Sequence, residues 1–99
     1  MPRAIVLNAL DNVATLIDSA KAADLCNLQG EATHTLKLPG DIPFGHKVCI
    51  RDLAPGADVI KYGQVIGRAS RAIAAGDHVH VHNVEAARGR GDQVSEKAK

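Results

Sequence analysis

The stretch Arg51-Asp-Leu-Ala-Pro-Gly-Ala-Asp-Val59 recurs twenty residues later as Arg71-Ala-Ile-Ala-Ala-Gly-Asp-His-Val79. The two copies share the arginine, an alanine, the glycine and the final valine. A glycine shortly before an apolar run is typical of a tight turn that leads into a strand, because glycine adopts positive φ at little cost. A related stretch, residues 18–25, lacks the glycine. The repeat predicts a compact β-fold in which similar turn–strand units pack about a pseudo-symmetric centre.

Short strands are also indicated elsewhere, since the apolar residues come in short runs between turn signals. The predicted strands are residues 4–7, 12–17, 31–38, 47–50 and 78–82, with a hairpin of 59–61 and 65–67 around Tyr62-Gly63. Residues 19–28 are rich in alanine, and a short helix is as well supported there as a strand on local grounds. We expect one domain over residues 1–84 and a mobile tail over 85–99, whose single large apolar residue is Val94.

Size and composition favour a protein that works with a partner. Ninety-nine residues form one small domain, and the chain holds one Phe, one Tyr and no Trp. We expect an aliphatic core of modest depth, with little room for an enclosed active site. A self-contained enzyme is therefore the less favoured interpretation.

Charge and hydropathy argue against several kinds of partner. The net charge is +1 with interspersed signs, which gives no basic face for a nucleic acid. No apolar run approaches the length of about 18 residues that a membrane span requires. Two cysteines, Cys26 and Cys49, are too few for a disulfide scaffold. We expect a cytoplasmic protein with reduced thiols.

A row of histidines is the clearest chemical signal. In a strand over residues 78–82, His78, His80 and His82 would lie on one face, with Val79 and Val81 in the core behind them. Histidines at this spacing are about 7 Å apart, so two imidazoles could share a Zn, Fe or Ni ion. The alternative is the polar outer face of an edge strand.

Three further residues are candidates for chemistry. His46 stands at the start of a predicted strand, where it could act as a general base, bind a metal or cap a turn. Lys61 and Tyr62 lie at the predicted hairpin tip, where the lysine could bind a carboxylate and the tyrosine could donate to an oxyanion. Tyr62 could equally cover a thin core.

Several motifs, taken in order, resemble one known family: Gly45-His-Lys-Val48, Asp52-Leu-Ala-Pro-Gly56, Val59-Ile-Lys-Tyr-Gly63, Ile66-Gly67 and Ile73-Ala-Ala-Gly-Asp-His-Val-His-Val-His-Asn83. They resemble the SAF domain of the altronate/galactarate dehydratase family, which includes sulfolactate sulfo-lyases, over about residues 5–84. The resemblance implies a β-clip fold and disfavours a long helix over 19–28. In that family the module is fused to a large catalytic region or made as a separate small subunit, and a chain that ends at Lys99 resembles the small subunit.

The resemblance also implies a reaction. A hydroxy acid loses its α-proton and its β-substituent, which is water or sulfite, and the resulting enol becomes a 2-keto acid. This chemistry needs a base, an acid and a cation. The implied assignments are His46 and His80 as catalytic, Lys61, Tyr62 and Asn83 as substrate-binding, and His80 and His82 as ligands of a divalent metal, which is typically iron in relatives.

The expected partner is a large catalytic dehydratase subunit, without which the chain is inactive and could form a homo-oligomer. Two alternatives remain open. The first is the small subunit of a sulfolactate sulfo-lyase. The second is a stand-alone SAF module that binds a carbohydrate, a carboxylate or a protein without catalysis.

Overall fold

A computed structural model describes residues 1–86 as nine short strands in two sheets. The strands are β1 (Arg3–Val6), β2 (Val13–Leu16), β3 (Leu25–Gly30), β4 (Thr35–Lys37), β5 (Lys47–Cys49), β6 (Asp58–Lys61), β7 (Gln64–Ala69), β8 (His78–Val79) and β9 (Val84–Ala86). The first sheet has the order β4-β3-β1-β2-β5-β8, and the second has the order β6-β7-β9. All neighbouring strands are antiparallel except β1 and β3. The all-β prediction is confirmed, and residues 1–86 contain no helix that could cross a membrane.

Four of the strands, β3, β5, β6 and β8, are entered through the same tight turn. In each turn a backbone N–H bonds to the carbonyl three residues earlier: Asp24 to Lys21, His46 to Pro43, Ala57 to Ala54, and Asp77 to Ala74. The residue before each donor has positive φ, as in a type II turn: Ala23, Gly45, Gly56 and Gly76. The repeat therefore has four copies. The related stretch 18–25 is one of them, and 41–48 is a copy that the sequence comparison missed.

These turns pack against one another in two pairs, which is the predicted pseudo-symmetric arrangement. An isolated β-bridge joins each pair: Ala20 with Ile42, and Leu53 with Ile73. An aspartate also crosses each pair and accepts a hydrogen bond from the facing turn: Asp41 from Ala22 N–H at 2.8 Å, and Asp52 from Ala75 N–H at 2.9 Å. The bridge at Ala20 explains why residues 19–28 are not helical, since tertiary pairing outweighs the helix propensity of alanine.

The core consists of two apolar clusters. The larger one includes Leu16, Leu28 and Ile42, and the smaller one includes Val59 and Val79. Both cysteines are free thiols, one in each cluster. Burial raises the pKa of Cys49 to about 11, which keeps its thiol protonated at neutral pH.

The predicted strand over residues 78–82 is too long. Strand β8 ends at Val79, and the chain then turns through residues 80–83. Val79 is buried as expected, at 2% exposure, but Val81 is 81% exposed and the prediction that it lies in the core is wrong. Strand β4 is likewise shorter than the predicted 31–38.

The described residues extend two positions beyond the predicted end of the domain at residue 84. Glu85 and Ala86, expected in the tail, belong to β9. The remainder of the predicted tail, residues 87–99, lies outside the described residues.

We predict that Val79→Ala lowers the free energy of unfolding of the full chain by about 1–3 kcal/mol, because it removes buried methyl groups and leaves a cavity. Urea denaturation followed by circular dichroism measures this. Val81→Ala is the matched control and should change stability by less than about 0.5 kcal/mol, since that side chain is exposed. Equal losses in the two variants would contradict the turn at residues 80–83.

Candidate functional site

The segment that follows β8 is a tight turn held by Asn83. This residue is 4% exposed. Its side-chain Oδ1 accepts from the N–H of His80 at 3.0 Å, and its Nδ2 donates to the carbonyl of His78 at 2.9 Å. Its own N–H donates to the carbonyl of His80 at 3.1 Å. Asn83, predicted to bind substrate, thus has both side-chain polar atoms engaged in fixing the histidine-bearing turn (residues 78–83).

Pairing of β5 with β8 brings His46 to this turn. Lys47 lies opposite Val79 in the antiparallel register, so His46, one residue before β5, meets the residue after β8, which is His80. The His46 and His80 rings stack with their centroids 4.5 Å apart. Nδ1 of His46 lies 2.8 Å from Nε2 of His78, within hydrogen-bonding distance.

His46, His78 and His80 form a three-imidazole cluster, which we call the His triad. One ring nitrogen of each lies within 4.8 Å of one ring nitrogen of both others. The predicted metal pair was His80 and His82. His82 contacts the ring of His78, at a centroid distance of 5.4 Å, but it is not in the group that could share one ion. His46, for which metal binding was one of the predicted roles, belongs to the group, whereas His82 lies at its margin.

Electrostatics favours a neutral imidazole at His78. Burial lowers the pKa of His78 below its ordinary value, and the neighbouring His46, His82, His80 and Lys47 lower it further. The imidazole of His78 therefore carries a free nitrogen lone pair at neutral pH, as a metal ligand requires. Burial also lowers the pKa of Lys47, and the nearby ammonium of Lys61 adds to this effect.

The predicted β6–β7 hairpin around Tyr62-Gly63 is confirmed. Both residues have positive φ, 61° and 73°, as the two central residues of a type I′ turn require. Nζ of Lys61 lies 5.0 Å from the centroid of the Tyr62 ring, and Tyr62 is 61% exposed. Tyr62 therefore does not cover the core, and its hydroxyl is not buried.

Two buried polar residues, Asp11 and Asn12, were missed by the sequence analysis. The Asp11 carboxylate accepts from the N–H of Gly63 at 2.8 Å, and Asn12 bonds through its side chain to the backbone of Asp58 and Ile60. They fix the hairpin that carries Lys61. Asn12 is the first residue of the predicted strand over 12–17 and Asp11 precedes it, and neither polar residue gave a signal of burial in the sequence.

An open cleft lies on each side of the histidine-bearing turn. One, of about 300 Å³, is lined by Arg71, Asp77, His78 and His82 together with small and apolar residues. The other, of about 240 Å³, is lined mostly by aliphatic residues together with Lys47 and His80. The site is therefore accessible from two sides and is not enclosed by the described residues.

Residues 2–87 match the family described as the altronate/galactarate dehydratase SAF domain. The chain belongs to this family. The match spans both sheets and includes the His triad and the hairpin that carries Lys61 and Tyr62.

Individual relatives fall into two groups. Altronate dehydratase of Escherichia coli (strain K12) is 46% identical over 80 residues, which are 80% of this chain and 15% of that protein. The (2R)-sulfolactate sulfo-lyase subunit alpha of Chromohalobacter salexigens is 57% identical over 47 residues, covering 48% of this chain and 50% of that protein. The subunit of the same name from Paracoccus pantotrophus is 43% identical over 53 residues, covering 54% of this chain and 79% of the subunit. The SAF domain thus spans half or less of the first two relatives.

We predict that His78 titrates below pH 6.5, the ordinary midpoint for histidine, because burial and its cationic neighbours disfavour the imidazolium. The carbon-bound ring protons, followed by NMR across pH 4.5–8, report this pKa. His46→Gln should raise it by removing a neighbour that carries positive charge when protonated. His34→Gln, an exposed histidine outside the triad, should leave it unchanged. Titration of His78 at or above pH 6.5 would contradict the electrostatic account.

Proposed function

We propose that this SAF domain acts as the small subunit of a hydroxy-acid lyase, which eliminates water to give a 2-keto acid together with a large catalytic subunit. The observation that carries the proposal is the His triad, built where β5 meets β8 in a domain of the altronate/galactarate dehydratase family. The family is one of dehydratases, which indicates an elimination reaction. The three imidazoles of the triad are groups that can hold a metal ion or transfer a proton in such a reaction.

The triad is proposed to hold a divalent metal ion, and its donor set fits one. Three imidazoles suit zinc, iron or nickel, and two of the three rings are only partly exposed. The 2.8 Å between His46 and His78 is shorter than the separation of about 3.3 Å expected for two nitrogens on one tetrahedral zinc. These two nitrogens would therefore have to move apart by about 0.5 Å for both to hold the ion. A bound cation at this position supplies charge stabilisation for a developing enolate.

The other predicted site residues take the following roles in this proposal. His46 and His80, predicted as catalytic, serve in this proposal as ligands together with His78, and the exposed His82 is the imidazole left free to exchange a proton. Lys61 offers a cation for a substrate carboxylate or enolate, with Tyr62 beside it as a hydrogen-bond donor. Asn83 acts as a positioning residue, because its amide sets the backbone of the turn.

A sulfo-lyase role is the second candidate, and a specific observation favours it. This chain covers 79% of one sulfolactate sulfo-lyase alpha subunit but only 15% of altronate dehydratase. Elimination of sulfite and elimination of water share the α-proton abstraction, so the same triad serves either leaving group.

The metal proposal predicts that the full chain binds one Co²⁺ per molecule, detected by visible absorption and by calorimetry. His46→Ala, His78→Ala and His80→Ala should each weaken binding by at least about tenfold, and affinity should fall as the pH is lowered and protons compete with the ion for the imidazole nitrogens. His34→Ala is the matched control and should bind as the unaltered chain does. Co²⁺ binding that is insensitive to His78→Ala would refute the triad as a metal site.

The subunit proposal predicts no 2-keto acid formation by the chain alone, and turnover of about 1 per second or faster when it is mixed with a large catalytic subunit of the same dehydratase family. Altronate, galactarate and (2R)-sulfolactate are the substrates to compare, with sulfite release scored separately. His78→Ala should abolish turnover while the subunits still associate on a sizing column. Activity of the chain alone, or full activity of the His78→Ala mixture, would contradict the proposal. Sugar-acid binding without any partner-dependent turnover would favour the stand-alone module.

A further inference from the structure

The cleft of about 300 Å³ beside the His triad contains an arginine with no assigned role. Arg71 is exposed and lines this cleft together with His78 and His82. Among the described residues, its guanidinium has no hydrogen bond or ion pair. Arg71 thus places a positive charge in the same cleft as the imidazoles of His78 and His82, where it could bind an anionic ligand.

The internal repeat gives Arg71 a direct comparison, because Arg51 occupies the same position in the preceding unit. Arg51 is structural, since its Nη2 donates to the main-chain carbonyl of Asp11 at 3.2 Å. Arg71 makes no such bond within residues 1–86. At this position of the repeat, the arginine of the first unit, Arg51, stabilises the fold. The arginine of the second unit, Arg71, has a guanidinium that is available to a ligand.

The one acidic residue in the lining of the cleft, Asp77, forms no ion pair with Arg71. Asp77 lines the same cleft, but its Oδ2 accepts from the N–H of Ala74 at 2.9 Å and so belongs to its own turn. The other cleft is lined mostly by aliphatic side chains, which are poor partners for a polyhydroxylated acid. The exposed guanidinium of Arg71, which has no partner within residues 1–86, and the less aliphatic lining therefore favour this side of the histidine-bearing turn for an anionic, hydroxylated ligand.

We propose that the cleft between Pro39-Gly40 and the histidine-bearing turn is the carboxylate subsite of the substrate, with Arg71 as its anchor. A guanidinium holds a carboxylate through two parallel N–H···O bonds, which fix orientation as well as position. A hydroxy acid anchored in this way presents its α-carbon on the side of His78 and His82, which line the same cleft. The inference rests on the proposed lyase function and adds to it a binding residue that supplements Lys61.

The test is an NMR titration of the isotope-labelled full chain at low ionic strength. The probe is galactarate, and the control ligand is galactitol, which has the same carbon skeleton and no carboxylates. Galactarate should shift the signals of Arg71, His82 and Gly40, and galactitol should leave them in place. Arg71→Gln should raise the Kd for galactarate by about tenfold or more, and Arg71→Lys should give an intermediate Kd, because lysine keeps the charge but not the paired geometry.

Arg68→Gln is the matched charge control. Arg68 is an exposed arginine on β7 that lies 3.6 Å from Asp58, and its replacement removes the same formal charge without touching the cleft. It should leave the Kd for galactarate unchanged. If Arg68→Gln and Arg71→Gln weaken binding equally, if galactitol produces the same shifts, or if the Kd exceeds about 10 mM, the carboxylate subsite is refuted.

Failure of this inference is distinguishable from failure of the proposed function. Arg71→Gln should bind Co²⁺ as the unaltered chain does, because Arg71 is not a member of the His triad. Loss of galactarate binding with Co²⁺ binding intact supports the subsite. Arg71-dependent galactarate binding in a chain that binds no Co²⁺ and gains no activity from the large subunit would support the subsite and remove the lyase role. Intact Co²⁺ binding with galactarate shifts confined to Lys61 and Tyr62 would overturn the subsite and leave the metal proposal standing.

Discussion

The arrangement of the two sheets depends on hydrogen bonds from two buried side chains, Asp11 and Asn12. The Asp11 carboxylate accepts from the backbone N–H groups of Asn8 and Gly63, at 3.1 and 2.8 Å. The Asn12 amide accepts from Ile60 N–H at 2.8 Å and donates to the Asp58 carbonyl at 2.9 Å. Loss of either side chain would leave partly buried backbone groups without these partners, at a cost of up to about 1–3 kcal/mol for each group. The β6–β7 hairpin is thus joined to the first sheet by directional bonds, which fix its orientation more tightly than apolar contact alone.

The position of the histidines follows from this junction. Strand β7 continues from the hairpin, and Ser70, which follows it, donates its N–H to the carbonyl of Asn83 at 2.9 Å. The histidine-bearing turn is therefore held at both ends, by β5 through the β8 pairing and by the end of β7 through Asn83. A site built on a turn gains precision when the turn is tied to strands in this way.

The features that sequence reasoning predicted are those governed by local chemistry. Tyr62-Gly63 predicts a two-residue hairpin because few residues tolerate two successive positive φ angles. The repeated glycine marks the turns for the same reason, and the copy at residues 18–25 was hard to recognise because Ala23 adopts the positive φ that glycine usually supplies. The end of β8 could not be predicted, because the alternation of histidine and valine continues through Val81 whereas the strand ends at Val79. That end is set by the hydrogen bonds of the Asn83 side chain and by the bond between Ser70 and Asn83. The alternation of polar and apolar residues in the sequence carries no information about these bonds.

The His triad is only partly buried, so a partner protein would have to exclude water from it. Attraction between a cation and a developing enolate is weak beside water and increases several-fold where the surroundings are less polar. His80 and His82 are exposed, and both clefts are open, so water competes for every charge at this site. A second protein surface laid over the histidine-bearing turn would exclude that water and strengthen the same interactions with no change in the triad itself. The domain's own geometry thus gives a physical reason for the proposed large subunit: the imidazoles are already positioned by β5, β8 and Asn83, and what the site lacks is a dry environment.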